Sequence, residues 1–136
     1  MSDLVLVDDH YCFACGDLNK EGLDVHWVIE GKTTHTFFTP PKKFQGWKGI
    51  VHGGIVATLL DEAMTRLAWI ACGGALTAEM TVRFLMPAKV GEKLFVFGEI
   101  TSENRKLVQM RASLFKEKKD GVLVAYSSGK AVKIKR

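Results

Sequence analysis

No uninterrupted apolar run in this chain approaches the roughly 20 residues that a membrane-spanning helix requires, so the sequence offers no bilayer anchor of that kind. The nearest candidate, over about residues 54–71, is interrupted by Asp61, Glu62 and Arg66. The opening segment MSDLVLVDDHYC lacks both a basic region and a long apolar centre, and so does not read as a secretory signal. Cysteine is scarce and odd in number, at three, which argues against a disulfide framework and for a reducing compartment. A cytoplasmic location is the expectation. Charge of one sign is not in large excess either. The net charge is +4, and no basic strand interleaved with aromatics appears, so nucleic acid is not an expected partner. The late basic residues, Lys116, Lys118, Lys119, Lys130, Lys133, Lys135 and Arg136, serve solubility by default, a phosphate-bearing ligand being the alternative.

What is present is the composition of an ordinary globular domain. Hydrophobic residues make up 47% and charged residues 25%, which argues against extended disorder. With no internal repeat or low-complexity segment, the 136 residues are expected to form a single domain, residues 1–10 being a lead-in arm. Tyr11-Cys12-Phe13-Ala14-Cys15-Gly16 contains one C-x-x-C, but no second ligand pair stands at metal spacing. Cys72, His10 and His26 complete no ligand pattern. A packed, reduced cysteine turn without metal is therefore expected.

Two β-rich stretches, 23–30 and 32–39, flank a turn at Gly31, and Pro40-Pro41 ends the second. Residues 54–71 then show helical periodicity. At 100° per residue, Val56, Leu59, Leu60, Ala63, Met64, Leu67, Ile70 and Ala71 form one apolar face. Thr58, Glu62, Thr65 and Arg66 lie opposite, with Asp61 at the border. Gly73-Gly74 stops the helix. From Met80 the period becomes two. Met80, Val82, Phe84 and Met86 share a face, Pro87 ends that strand, and Val108, Met110, Ala112 and Leu114 share another face. Asp120-Gly121 marks a hairpin before a last strand over about 122–134. Four long strands in an antiparallel meander, against one helix and preceded by two strands, give an α+β domain. The outer-face residues Leu85, Phe95, Phe97 and Phe115 are left for a second copy of the chain to cover.

The chemistry gathers in Phe44–Met64, FQGWKGIVHGGIVATLLDEAM. Two glycines after His52 let a ligand approach the backbone. The first N–H groups of a helix have no internal partner and sit at the positive end of its dipole, where they can hold an oxygen that gains negative charge. Glu62 has Arg66 at i+4 in the favourable acid-first order. Asp61 has no basic residue three or four positions away, so it is solvated, paired from elsewhere in the fold, or used. Asp61 follows Gly53 by eight residues, about 12 Å of helical rise. That is too far for both to serve one reacting atom unless the ligand lies along the helix or a second subunit contributes. The plainer reading is a tight loop before a core helix, with Asp61 merely solvated. Phe44, Trp47, Trp69 and the methionines could line an apolar pocket, and each suits ordinary core or interface at least as well.

The run Gly49–Ala63, GIVHGGIVATLLDEA, with Thr77–Phe84, Pro87-Ala88-Lys89, Gly91-Glu92 and the CFACG…N…GL opening, resembles the hotdog-fold acyl-CoA thioesterases of the phenylacetate-pathway and human mitochondrial thioesterase-like group. The resemblance spans nearly all of Cys12 to Val132. It implies a hotdog fold, an antiparallel sheet wrapped around one long helix, and hydrolysis of an acyl-CoA thioester to a free acid and coenzyme A. The coenzyme is part of the substrate, and no other cofactor is implied. In that family Asp61 matches the general base or nucleophile, and the Gly53 amide the donor that polarises the carbonyl. His52 matches the histidine that shapes the turn, and Thr77 a hydroxyl that orients the acid or the water. Gly46 and Gly54 line the approach, and Ser127, Ser128, Gly129 and Lys130 are the implied contacts for pantetheine or phosphate. The family's site forms across a homodimer, or within a dimer of dimers, with Asp61 coming from the neighbouring subunit. One departure is visible. Relatives place an asparagine where this chain has Gly46, and the adjacent Gln45 is the candidate replacement for its amide. Glu62 is the alternative acid, and its expected pairing with Arg66 favours Asp61. The same scaffold also carries non-catalytic acyl-CoA or lipid-binding modules, the alternative function.

Overall fold

The computed structural model describes residues 3–135. Three residues of strand β1 (Val28–Glu30) pair with β2 (Thr33–Phe38). A short 3-10 turn at Lys42–Phe44 leads through a loop to helix α1 (Gly53–Cys72), followed by β3 (Ala75–Phe84), β4 (Leu94–Glu103), β5 (Leu107–Lys116) and β6 (Leu123–Lys133). All strand pairs are antiparallel, and the sheet order is β1-β2-β4-β5-β6-β3. One long helix on a six-stranded sheet is the α+β architecture that the resemblance implies. No helix among the described residues is long and apolar enough to cross a membrane.

Two expectations about the strands need correction. Residues 23–27 are not strand, because the Leu23 and Val25 amides bond Phe13 O at 2.8 Å and Ala14 O at 2.9 Å, tying this stretch to the cysteine loop. The four long strands are not a simple meander either. The segment 85–93 after β3 is no tight hairpin. Its Leu85 and Met86 amides turn to Val124 O, and Val90 N turns to Gly49 O. The chain therefore enters β4 beside β2, while β3 pairs with β6 and forms one edge of the sheet.

The helix buries Val56, Leu59, Leu60, Ala63, Met64, Leu67 and Ala68 against the inner face of the sheet. Leu94 and Val96 of β4, Val108, Met110 and Leu114 of β5, and Val124 of β6 belong to the same core. The buried stripe stops a turn before the helix does. Ile70 and Ala71, expected in the core, are exposed, and Ala68 takes a buried place beside Leu67. On the outer face Phe95 is only 5% exposed, packed among His35, Phe37 and Phe115, so part of that face is covered within the chain. The expected lead-in arm is docked. Val5 bridges Lys135, and Asp8 pairs with Arg66 at 3.1 Å.

Gly98 sets the distance between helix and sheet. A Cβ there would lie 2.5 Å from the Ala63 carbonyl oxygen, inside any tolerable contact. Gly98→Ala must push the helix outward, and overpacking of this kind costs about 1–3 kcal/mol. We expect a lower urea midpoint at unchanged slope.

Candidate active site

The helix start is built by its own cap. His52 is the N-cap, with φ −57° and ψ 132°, and its Nδ1 accepts the Gly54 N–H at 2.9 Å. Acceptance at Nδ1 leaves the proton of a neutral ring on Nε2. A Cβ on Gly54 would stand 3.0 Å from His52 Nδ1, so a side chain there would crowd the cap. The Gly54 amide, at a position expected to bind substrate, is thereby engaged by the cap. The Gly53 N–H makes no hydrogen bond to the described residues, as befits the first residue of a helix. Gly53 lines an apolar groove of about 740 Å³ together with Trp47, His52, Val56, Phe84 and Leu85. Trp47 is 83% exposed, and Phe84 and Leu85 are also open to solvent.

Asp61 lies two turns along the helix. Its Oδ1 accepts from Thr77 Oγ1 at 2.7 Å and from Thr65 Oγ1 at 3.0 Å, and the two hydroxyl oxygens are 2.5 Å apart. Oδ2 accepts no hydrogen bond from the described residues. The acid is therefore partnered from elsewhere in the fold, by hydroxyls and not by a cation. Thr77 reaches it because the register between β3 and β6 shifts at Thr77/Glu79, a bulge that turns Thr77 to the helix side. Thr65, one turn beyond Asp61, was not singled out in the sequence. Its i+4 spacing was the available signal.

Several predicted residues are placed differently from what the resemblance implies. Gln45 Oε1 accepts the Gly49 N–H at 3.1 Å and closes its own loop, so that oxygen is not free for ligand chemistry. Gly46 packs on His52, whose Cα would be 3.3 Å from a Cβ at that position, and its amide bonds Ile50 O. Ser127 is 3% exposed and its hydroxyl meets Met64 Sδ at 3.6 Å beneath the helix, so it is withdrawn from any surface ligand. Gly129 also faces Met64, whereas Ser128 and Lys130 are exposed.

Glu62 does not pair with Arg66 as expected. Arg66 Nη1 bonds Asp8 Oδ2, and the Asp8 carboxyl is held below its ordinary value by the His10 backbone N–H and by Arg66, against an opposing effect of burial. Glu62 instead accepts from Trp27 Nε1 at 3.2 Å and faces Cys12 Sγ at 3.8 Å. Burial pushes the Glu62 carboxyl up, opposed by the Cys15 and Trp27 hydrogen bonds and by Arg66. Burial, then the Glu62 carboxylate, pushes the Cys15 thiol up. The cysteine turn thus has an acidic neighbour, Glu62, that the sequence does not show.

The thioesterase superfamily model matches residues 48–123 of this chain, more than half of it. Two curated relatives are the acyl-coenzyme A thioesterase THEM4 of Xenopus laevis and the acyl-coenzyme A thioesterase 13 of Mus musculus. The first is 32% identical over 71 residues, covering 52% of this chain and 32% of that protein. The second is 30% identical over 79 residues, covering 57% and 56%. The chain thus spans about a third to just over half of the length of these relatives. Among solved structures, that of smu.793 from Streptococcus mutans UA159 bound to acetyl CoA aligns with TM-score 0.73 at 23% identity, over 82% of this chain and 90% of that one.

The cap can be tested by itself. His52→Ala removes the acceptor for the Gly54 amide and is expected to lower stability by about 1 kcal/mol in urea unfolding, whereas His52→Asn should keep most of it.

Proposed function

Because the chain belongs to the thioesterase superfamily, we propose that it hydrolyses an acyl-CoA thioester to a free acid and coenzyme A, at a site completed by two copies of the chain. The observation that carries this reading is where two groups fall along β3. Gly53 stands beside Phe84, whose ring a Cβ there would meet at 3.8 Å, at one end of the strand, and Asp61 is bonded to Thr77 near the other. β3 is a ten-residue strand at the edge of the sheet, and among the described residues it pairs on one side only, with β6. An unpaired edge of this length is a template for another strand. Antiparallel self-pairing centred on Thr81, with the bulge between Thr77 and Glu79 taken into account, would set Thr77 opposite the partner's Phe84. Asp61 of one protomer then meets the Gly53 groove of its partner, which removes the separation of about 12 Å within one helix.

In that arrangement the thioester carbonyl oxygen takes the Gly53 N–H, and the helix start stabilises the oxyanion as it forms. Thr65 and Thr77 fix Oδ1 of Asp61. The open Oδ2 takes a proton from the attacking water, and the tetrahedral intermediate collapses with expulsion of the coenzyme A thiolate. The apolar groove receives the acyl chain. Exposed Ser128 and Lys130 on β6, next to the edge strand, are the retained candidates for the pantetheine and phosphate end.

Complementation between two inactive chains tests the assignment. Asp61→Asn removes the base. Gly53→Pro removes the amide hydrogen at the first helical position, where proline is tolerated, and His52 already has the extended ψ that precedes proline. Each variant alone should lose at least about 10²-fold in thiol release from acyl-CoA. After co-refolding, mixed dimers hold one intact site each, so roughly a quarter of wild-type activity should return by random pairing. Near-normal turnover by folded Asp61→Asn, or binding of acyl-CoA without turnover by the wild-type chain, would refute the hydrolase. No recovery on mixing would refute the shared site.

A further inference from the structure

We infer that Cys12, Cys15 and Glu62 form a binding site for a thiophilic divalent cation, with zinc as the preferred ion. The inference does not depend on the hydrolytic reading. The two sulfurs and a carboxylate oxygen all lie within 4.8 Å of one another. All three cysteines are free thiols. Tetrahedral zinc with bonds of about 2.3 Å to sulfur and about 2.0–2.2 Å to oxygen sets its ligand atoms roughly 3.5–3.8 Å apart. Cys12 Sγ and Glu62 Oε1 stand at 3.8 Å, so small side-chain adjustments close the set around an ion.

The ligands are positioned by their surroundings. Gly16 N bonds Cys12 O at 2.9 Å, and a Cβ on Gly16 would fall 2.3 Å from Cys12 N, so the C-x-x-C-G turn closes tightly enough to exclude a side chain there. The Ala14 N–H points at Cys12 Sγ at 3.3 Å and fixes where that sulfur lies. Glu62 comes from the helix, and Trp27 Nε1 holds its Oε2, leaving Oε1 directed at the sulfurs. A donor that fixes one oxygen of a ligating carboxylate is the usual outer partner of a metal site. The nearest arginine on the helix, Arg66, is turned to Asp8.

The chemistry of the set selects the ion. Two thiolates disfavour magnesium and calcium, and the small tetrahedral span suits zinc. Binding releases both thiol protons, and the carboxyl proton where present, and involves no change of oxidation state. The fourth position faces a cavity of about 350 Å³ also lined by Asp8 and Thr65, wide enough for a water or a small anion. Such an ion would join the N-terminal loop to the helix at the residue next to Asp61.

The test uses the whole chain, reduced and stripped with a chelator. Cobalt(II) is expected to produce thiolate-to-metal charge-transfer absorption that saturates at one ion per chain and is displaced by zinc. Zinc should also raise the melting temperature. Cys72→Ser should leave the spectrum unchanged, Cys12→Ser should weaken the charge-transfer band, and Glu62→Gln should reduce zinc affinity at least about tenfold. Should the cysteine variants fail to fold, the wild-type cobalt spectrum and the Glu62→Gln titration still decide the matter. No saturable absorption in the wild type, with Cys12 and Cys15 reacting freely with a thiol reagent in excess zinc, would overturn the site. Unchanged zinc affinity in folded Glu62→Gln would overturn the three-ligand set.

Discussion

The contact between α1 and β3 governs what this chain can do. The helix buries one stripe against the sheet and presents its polar groups along the strand at the sheet edge. Its N-terminal Gly53 lies beside Phe84 at one end of that strand, and its acid is held at the other by the Thr77 hydrogen bond. A rigid helix rises about 1.5 Å per residue and cannot fold back on itself, so one copy cannot bring both groups to one atom. In the proposed dimer the edge of β3 relieves that constraint, since antiparallel self-pairing reverses the ends. On the proposed reading, the second copy answers a constraint that helix geometry sets.

The β3 bulge is the smaller device on which the acid depends. By strict alternation Thr77 would point away from the face of Met80 and Val82, because the parities differ. The register shift at Thr77/Glu79 reverses the parity, and Thr77 joins the inward set. Two hydroxyl protons then serve three short contacts among Thr65, Thr77 and Asp61. With the carboxylate ionised, both hydroxyls donate to Oδ1, or Thr65 donates to Thr77, which donates to Oδ1. Either way the hydrogen bonds converge on one oxygen and leave the other open.

These cases also show what the sequence could carry. The helix stripe from Val56 to Leu67 was legible because burial follows a 3.6-residue period, and the turns at Gly31 and Asp120-Gly121 because few residues suit them. The bulge was not legible, since a one-residue register shift leaves no mark in a period-two pattern. The position of β3 beside β6 was hidden for a related reason. Alternation identifies strands but not neighbours, and only the longer connection over 85–93 hints that β3 and β4 do not form a hairpin. Asp61 and Gly53 stood out in the sequence. The withdrawal of Ser127 did not, because which face of β6 lies beneath Met64 is settled by packing.

Glu62 and Arg66 show how a local rule loses to the fold. An i, i+4 acid–base pair on a helix is worth about 0.2–0.5 kcal/mol. Burial of Glu62 against the cysteine loop, with a Trp27 hydrogen bond to one oxygen, sets the position of its carboxylate more firmly than so small a term can. Arg66 is released to Asp8, and that pair in turn holds the N-terminal arm against the helix. Consecutive residues on a helix point about 100° apart, so Asp61 and Glu62, one peptide bond from each other, face different neighbourhoods. Among the described residues Asp61 is hydrogen-bonded by two hydroxyls, hard groups that orient a carboxylate. Glu62 meets two sulfurs, whose softness suits an ion that Asp61's surroundings would not retain. Adjacency in sequence therefore separates the two acids in chemistry, and the helix repeat is what divides them.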